Sequence, residues 1–155
     1  MREVVVVHQH TSTKGTTPMN KALVRDAMHV GVISCPVEAT VMDAWQLIDR
    51  YRIHAVVVTD GPGYLAGIIS QTDMLKAWRN GATYEEVMRG PVSTIMTSSV
   101  ITCMPAMELD RAIKLINRNH IHRLVVVEER NDGRVWPTGI LSMSDIVRHI
   151  EEHER

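Results

Sequence analysis

Apolar positions recur at two spacings along the chain. In "TVMDAWQLIDRYR" (40–52), Val41, Ala44, Leu47, Ile48 and Tyr51 fall at helical intervals, and Thr40 stands where a helix cap belongs. "AVVVTD" (55–60) follows, then a Gly-containing turn and "YLAGIIS" (64–70), which together predict a β-hairpin. "QTDMLKAW" (71–78) reads as a second helix. A short extended stretch, "VISC" (32–35), precedes the set, so the unit is β-α-β-β-α. The continuous valine run predicts a strand buried on both faces, hence a sheet covered by helices.

The same order of elements is written twice. Sliding the chain against itself by 68 residues aligns "VISC" with "VITC" (100–103) and "AWQLIDRYRIHAVVV" (44–58) with "AIKLINRNHIHRLVV" (112–126). Between 28 and 58, 12 of 31 positions are identical, too many for a shared helix pattern alone. Beyond that the offset becomes 72, so that "GIISQTDML" (67–75) aligns with "GILSMSDIV" (139–147). Four extra residues enter the second copy within "EERNDGRVWPTG" (128–139), as a longer hairpin turn requires. The sequence divides into an N-terminal arm (1–23), repeat 1 (24–78), a linker (79–91), repeat 2 (92–150) and a tail (151–155). One copy of about 55 residues could hardly bury enough surface alone, whereas two packed together could.

Composition excludes several function classes. The chain of 155 residues is 45% hydrophobic and 23% charged, enough for a core and too apolar for disorder throughout. Net charge is -1 with no basic run, which gives no electrostatic case for nucleic acid. Phe is absent and aromatics are 4%, poor material for base stacking. Two cysteines and no signal peptide point to a reducing, cytoplasmic setting. No apolar run reaches the roughly 18 residues that span a bilayer. There is no Lys-bearing phosphate loop, nucleophile elbow or zinc spacing, so nothing argues for an enzyme. "HQH" (8–10) lacks a third ligand at useful spacing. "VVVV" (4–7) is β-prone and "TSTKGTTP" (11–18) polar, and both belong to the arm.

The repeated β-α-β-β-α unit, the "IHxxVVV" strand entry and the Gly-x-x-Ser-x-x-Asp ending resemble a cystathionine-β-synthase (CBS) domain pair, also called a Bateman module. "IHRLVVVEE" followed by "GILSMSDIV" makes the second copy the closer match; it is similar to a repeat of the gamma subunit of AMP-activated protein kinase. The resemblance covers about 24–150 and implies an α/β (α+β) fold. Two copies would pack with pseudo-two-fold symmetry, leaving two related clefts between them. It further implies a homodimeric regulatory module that binds an adenosine-containing ligand: AMP, ADP or ATP, with S-adenosylmethionine and NAD(H) in the same range. Such a module requires no cofactor and acts through a regulated partner protein. Two alternatives stay open: a structural dimerisation module with degenerate clefts, and an accessory regulatory part of a nucleotide-metabolising enzyme.

The residues supply a physical logic beside the resemblance. Ser70 and Ser142 sit where a strand becomes a helix, and amide N–H groups there face outward unpaired. Asp73 and Asp145 follow three residues later, with acceptor oxygens enough for both hydroxyls of a ribose. Thr72 and Ser144 add small hydroxyls. Ile33 and Ile101, flanked by Ser34 and Thr102, would form a slot for a purine with Val56 and Leu124. His122 and Arg123, with His54 and Ala55 in the first copy, flank the phosphate position. Ser-x-x-Asp is also close to a helix capping box, which needs no ligand. The two roles are compatible. Histidines at a strand entry also serve as hydrogen-bonded structural residues, and Arg123 as a strand-end cation paired with Glu128 or Glu129. Cys35 and Cys103 read as small core residues. The apolar helix positions Ala44, Leu47, Ile48 and Ala112, Leu115, Ile116 read as dimerisation faces.

Overall fold

A computed structural model describes residues 21–153; the strand-prone "VVVV", the "HQH" and the rest of the arm up to residue 20 lie outside the described residues, as do the last two of the tail. Among these residues, short helices and strands fold into two compact units, one of residues 32–100 and one combining 21–31 with 101–153.

In the first unit, β2 (Ser34–Pro36) runs parallel to β3 (Ala55–Asp60), which pairs antiparallel with β4 (Tyr64–Ser70). α2 (Val41–Tyr51) crosses from β2 to β3. α3 (Gln71–Arg79) follows β4, and α4 (Tyr84–Arg89) leads to a 3-10 turn at Val92–Thr94. Val41, Ala44 and Ile48 of α2 pack with Met74 of α3 and Val87 and Met88 of α4 on Val56, Val58 and Ile69 of the sheet. Val57 points to the other face and is buried too, as the unbroken valine run requires. The segment 79–91, a linker by sequence, thus carries a helix that fills this core.

The second unit repeats the plan. β5 (Thr102–Cys103), α5 (Leu109–Asn119), β6 (Arg123–Glu129), β7 (Val135–Ser142) and α6 (Met143–His153) follow one another. The sheet order is β1-β7-β6-β5, where β1 is His29–Val30, preceded by α1 (Val24–Ala27). The four inserted residues lie in the β6–β7 hairpin: one in each strand and two in the turn, relative to β3–β4. Among the described residues, two that are not glycine adopt left-handed backbone, Arg52 (φ 53) and His120 (φ 52), at matching positions after α2 and α5. Each lets the next residue, Ile53 or Ile121, return its amide to the helix. The chain then enters β3 or β6 through His54 or His122.

Ala44, Ile48, Ala112 and Ile116 are at most 3% exposed and belong to the cores, which corrects their reading as dimer faces. An amphipathic stripe reveals that a face is buried, not against what.

Each unit borrows the leading segment of the other copy. In the second, Val24 sits wholly buried and its amide donates to the Met107 carbonyl (2.8 Å). In the first, its counterpart Val92 is equally buried and donates to the Ala39 carbonyl (2.8 Å). His29–Val30 pairs antiparallel with Ile140–Gly139, and Thr97 bridges Ile68 in the same sense. The motif glycines permit this crossing. A Cβ on Gly139 would meet the His29 carbonyl oxygen and the Met28 methyl (2.6 Å). On Gly67 it would meet Met96 Sδ (2.6 Å) and the Thr97 carbonyl oxygen (2.9 Å). The hairpin registers shift beside both glycines, at Val58/Thr59 and Val126/Val127.

Candidate functional site

In each unit the sequence-predicted residues gather at one end of the sheet. β3 begins at Ala55, directly across from Ser70 at the end of β4, and β2 begins nearby with Ser34 level with Val57. In the second unit Arg123 lies across from Ser142, and Thr102 is level with Val125. Ile33 and Ile101, just before those first strands, are half-buried. His54 and His122 have exposed side chains; their carbonyls take the first helical amides, of Gln71 (3.4 Å) and Met143 (3.0 Å). The structural duty at these positions falls on the backbone, which leaves the imidazoles at the surface. His122 Nδ1 lies 3.4 Å from Met143 Sδ.

Both Ser-x-x-Asp segments close capping boxes. Asp73 Oδ2 accepts from the Ser70 amide (2.8 Å) and hydroxyl (2.9 Å), while Ser70 Oγ accepts from the Asp73 amide (3.4 Å). Asp145 Oδ2 takes the Ser142 amide (2.8 Å) and hydroxyl (2.7 Å), and Ser142 Oγ accepts from the Asp145 amide (3.2 Å). Thr40 and Asp43 build the same box at the start of α2, so the motif by itself caps a helix and marks no ligand. The box commits one carboxylate oxygen, and the chemistry left over resides in Oδ1. Thr72 and Ser144, at the second helical position, are exposed beside it.

The Oδ1 environments differ. Asp73 is half-buried, and its Oδ1 accepts a single long bond from the exposed Thr97 hydroxyl (3.3 Å). The Asp145 side chain is 2% exposed, and its Oδ1 meets His29 Nε2 at 2.8 Å and an Arg148 guanidinium nitrogen at 3.5 Å. Thr97 and His29 are counterparts under the 68-residue offset. Sequence reasoning missed both, although Met28 aligned with Met96 one position earlier.

Arg123 is half-buried, and burial lowers its pKa; it forms no ion pair among the described residues, so neither Glu128 nor Glu129 neutralises it. A desolvated guanidinium has planar donors whose geometry matches carboxylate or phosphate oxygens. Its counterpart Ala55 offers nothing comparable.

Val56 and Leu124 are wholly buried among their units' core residues, which corrects their assignment to a purine slot. Of that slot, the half-buried Ile33 and Ile101 stay at the sheet end. Cys35 and Cys103 are buried, and burial pushes their thiols up to about 12 and about 11, which suits inert core residues. No group of three or more metal-ligating side chains occurs among the described residues, and no helix among them is long and apolar enough to cross a membrane.

Comparison with known proteins agrees with this fold. The family model described as "CBS domain" matches residues 24–80 and 92–152. Inosine-5'-monophosphate dehydrogenase of Mycobacterium leprae is 32% identical over 122 residues, covering 78% of this chain and 21% of the dehydrogenase. The 5'-AMP-activated protein kinase subunit gamma of Saccharomyces cerevisiae is 28% identical over 122 residues, 76% of this chain and 36% of that subunit. The chain therefore spans about a fifth to a third of the length of these relatives. Among solved structures, the CBS domain pair of protein MJ0100 in complex with 5-methylthioadenosine and S-adenosyl-L-methionine superposes with a TM-score of 0.72 at 25% identity, covering 84% of this chain and 97% of that one. CBSX2 in complex with AMP gives 0.71 at 25% identity, covering 86% and 98%. With the family model spanning most of the sequence and the doubled β-α-β-β-α unit seen in three dimensions, the chain belongs to the CBS-domain family and carries two copies of that domain.

Proposed function

We infer that the protein is a regulatory module that binds an adenosine-containing ligand, AMP, ADP or ATP foremost, and passes the binding event to a partner protein by a change in packing. The observation that carries this reading is Arg123: a half-buried cation that no carboxylate among the described residues neutralises, at a strand start across the ladder from Ser142 of the capping box. Guanidinium matches phosphate, the adjacent Oδ1 suits ribose hydroxyls, and the half-buried isoleucine at the same sheet end suits an apolar ring. The structural relatives named above hold AMP, or S-adenosylmethionine with methylthioadenosine, which supports the ligand class. S-adenosylmethionine and NAD(H) belong to the same range. The module is not itself an enzyme in this reading. It works as a cytoplasmic homodimer.

A second reading takes support from the inosine-5'-monophosphate dehydrogenase match, which covers 78% of this chain. There the module serves as the regulatory accessory of a nucleotide-metabolising enzyme and binds the same ligands. Thermal-shift titration with AMP, ATP, NADH and S-adenosylmethionine tests both. A ligand at 100 times its dissociation constant adds about 2.7 kcal/mol of stability. No shift with any of the four would leave a dimerisation module with degenerate sites.

A further inference from the structure

We propose that His29 gates the Asp145 half of the ligand site: it holds the carboxylate oxygen that a ribose diol needs, so that diol binding and the docking of β1 compete for one atom. The proposal rests on the adenosine-site reading above and adds a regulation to it.

Asp145 Oδ2 is fully used by the amide and hydroxyl of Ser142, so only Oδ1 remains for a ligand. His29 Nε2 occupies Oδ1 at 2.8 Å, within an ion-pair or charge-assisted hydrogen-bond distance, and the carboxylate is 2% exposed beneath it. Arg148 adds a second, longer contact at 3.5 Å. The imidazole itself is 42% exposed, so the lid over the buried oxygen sits at the surface, where an incoming group can displace it. His29 is delivered by β1, a strand of two residues held to β7 by the pairs His29–Ile140 and Val30–Gly139 and by the Gly31 amide donating to the Thr138 carbonyl (2.7 Å). So short a strand can open without unfolding the sheet behind it.

The first unit is an internal control. Thr97 occupies the equivalent position, crosses the equivalent glycine and reaches the equivalent oxygen, but with a neutral hydroxyl at 3.3 Å. Asp73 is half-buried and open by comparison. One chain thus carries an ungated diol acceptor without a phosphate anchor, and a gated one beside Arg123. The gated copy admits a ligand that both displaces His29 and engages the guanidinium.

Exchanging the two residues tests the gate. In an Asp73→Ala background, where binding reports the second copy, His29→Thr should tighten AMP about tenfold, the worth of one charge-assisted hydrogen bond no longer displaced. 2'-Deoxy-AMP, which presents one hydroxyl of the pair, should gain clearly less. In an Asp145→Ala background, Thr97→His should weaken AMP at the first copy. Melting curves establish that each variant is folded, and the Thr97→His arm stands on its own should His29→Thr prove unstable. An AMP affinity that is unchanged or lower in His29→Thr, or AMP and 2'-deoxy-AMP gaining equally, overturns the gate while the adenosine reading stands. Failure of AMP to bind the unsubstituted protein overturns both.

Discussion

Replacing Arg123 with Ala separates what the residue does for the fold from what it does for a ligand. Its guanidinium is desolvated and unneutralised among the described residues, so charge at this position costs folding stability. Its stem returns some of that: three methylenes at about 0.8 kcal/mol each, roughly half buried, contribute on the order of 1 kcal/mol. The first copy carries Ala55 in the same register, across from Ser70, so the backbone accepts the smaller residue. Arg123→Ala should therefore leave stability within about 1 kcal/mol of the parent by chemical denaturation. Ligand binding should respond differently. One charge-assisted hydrogen bond to a phosphate oxygen is worth about 1.5–3 kcal/mol, so AMP should weaken by roughly 10- to 150-fold. Adenosine has no phosphate to lose and should stay within about threefold. Arg123→Lys keeps the charge without the planar fork and should fall between. Calorimetric titration of AMP and adenosine against the three proteins reads all of this. Equal weakening of both ligands, or no weakening of either, would remove Arg123 from the site.

Two further predictions follow from the packing. Gly139→Ala drives a methyl into the His29 carbonyl and the Met28 side chain, so it should destabilise by about 1–3 kcal/mol in thermal melts. Gly67→Ala should cost less, because its nearest obstacle is the flexible Met96 thioether; equal or reversed losses would refute the crossing. We predict that dimerisation uses α3 and α6, where Leu75 and Val147 occupy matching positions and are 62% and 56% exposed. Light scattering should give about twice the 17.5 kDa chain mass, and Leu75→Asp with Val147→Asp should return it to one chain; a dimer that persists in the double variant would place the interface elsewhere.

Local order was legible because each signal is carried by neighbouring residues. Thr40 was readable as a cap, the Gly-containing turns as hairpins, and the inserted residues of the second copy as a longer loop; all are in the structure. Long-range pairing was not legible. β1 has two residues, too few for any alternation to register, and its partner Gly139–Ile140 lies more than a hundred positions away. The valine runs posed a different difficulty: when both faces of a strand are buried, alternation vanishes and side-chain direction with it. That is why Val56 and Leu124 were assigned to a ligand slot rather than to the core. His54, His122 and Arg123 stand out in the sequence because they interrupt that apolar pattern at a strand entry. Asp73 and Asp145 stand out through a motif that, as Thr40–Asp43 shows, also occurs for capping alone.

That double use of one motif shapes what the duplicated fold can become. A capping box fixes the aspartate rigidly, with Oδ2 bound to serine, so Oδ1 is presented in a defined direction at no further entropic cost. Evolution of the site then acts on the groups around Oδ1 rather than on the aspartate, whose loss would also uncap the helix. The two units differ at those neighbours: Thr97 against His29 over the carboxylate, and Ala55 against Arg123 across the ladder. Both differences put a nitrogen donor beside the second unit's carboxylate end: an imidazole that closes the Asp145 oxygen and a guanidinium across from Ser142. In the proposed reading, two sites derived from one sequence respond to the same nucleotide at different concentrations without any change in the fold that holds them.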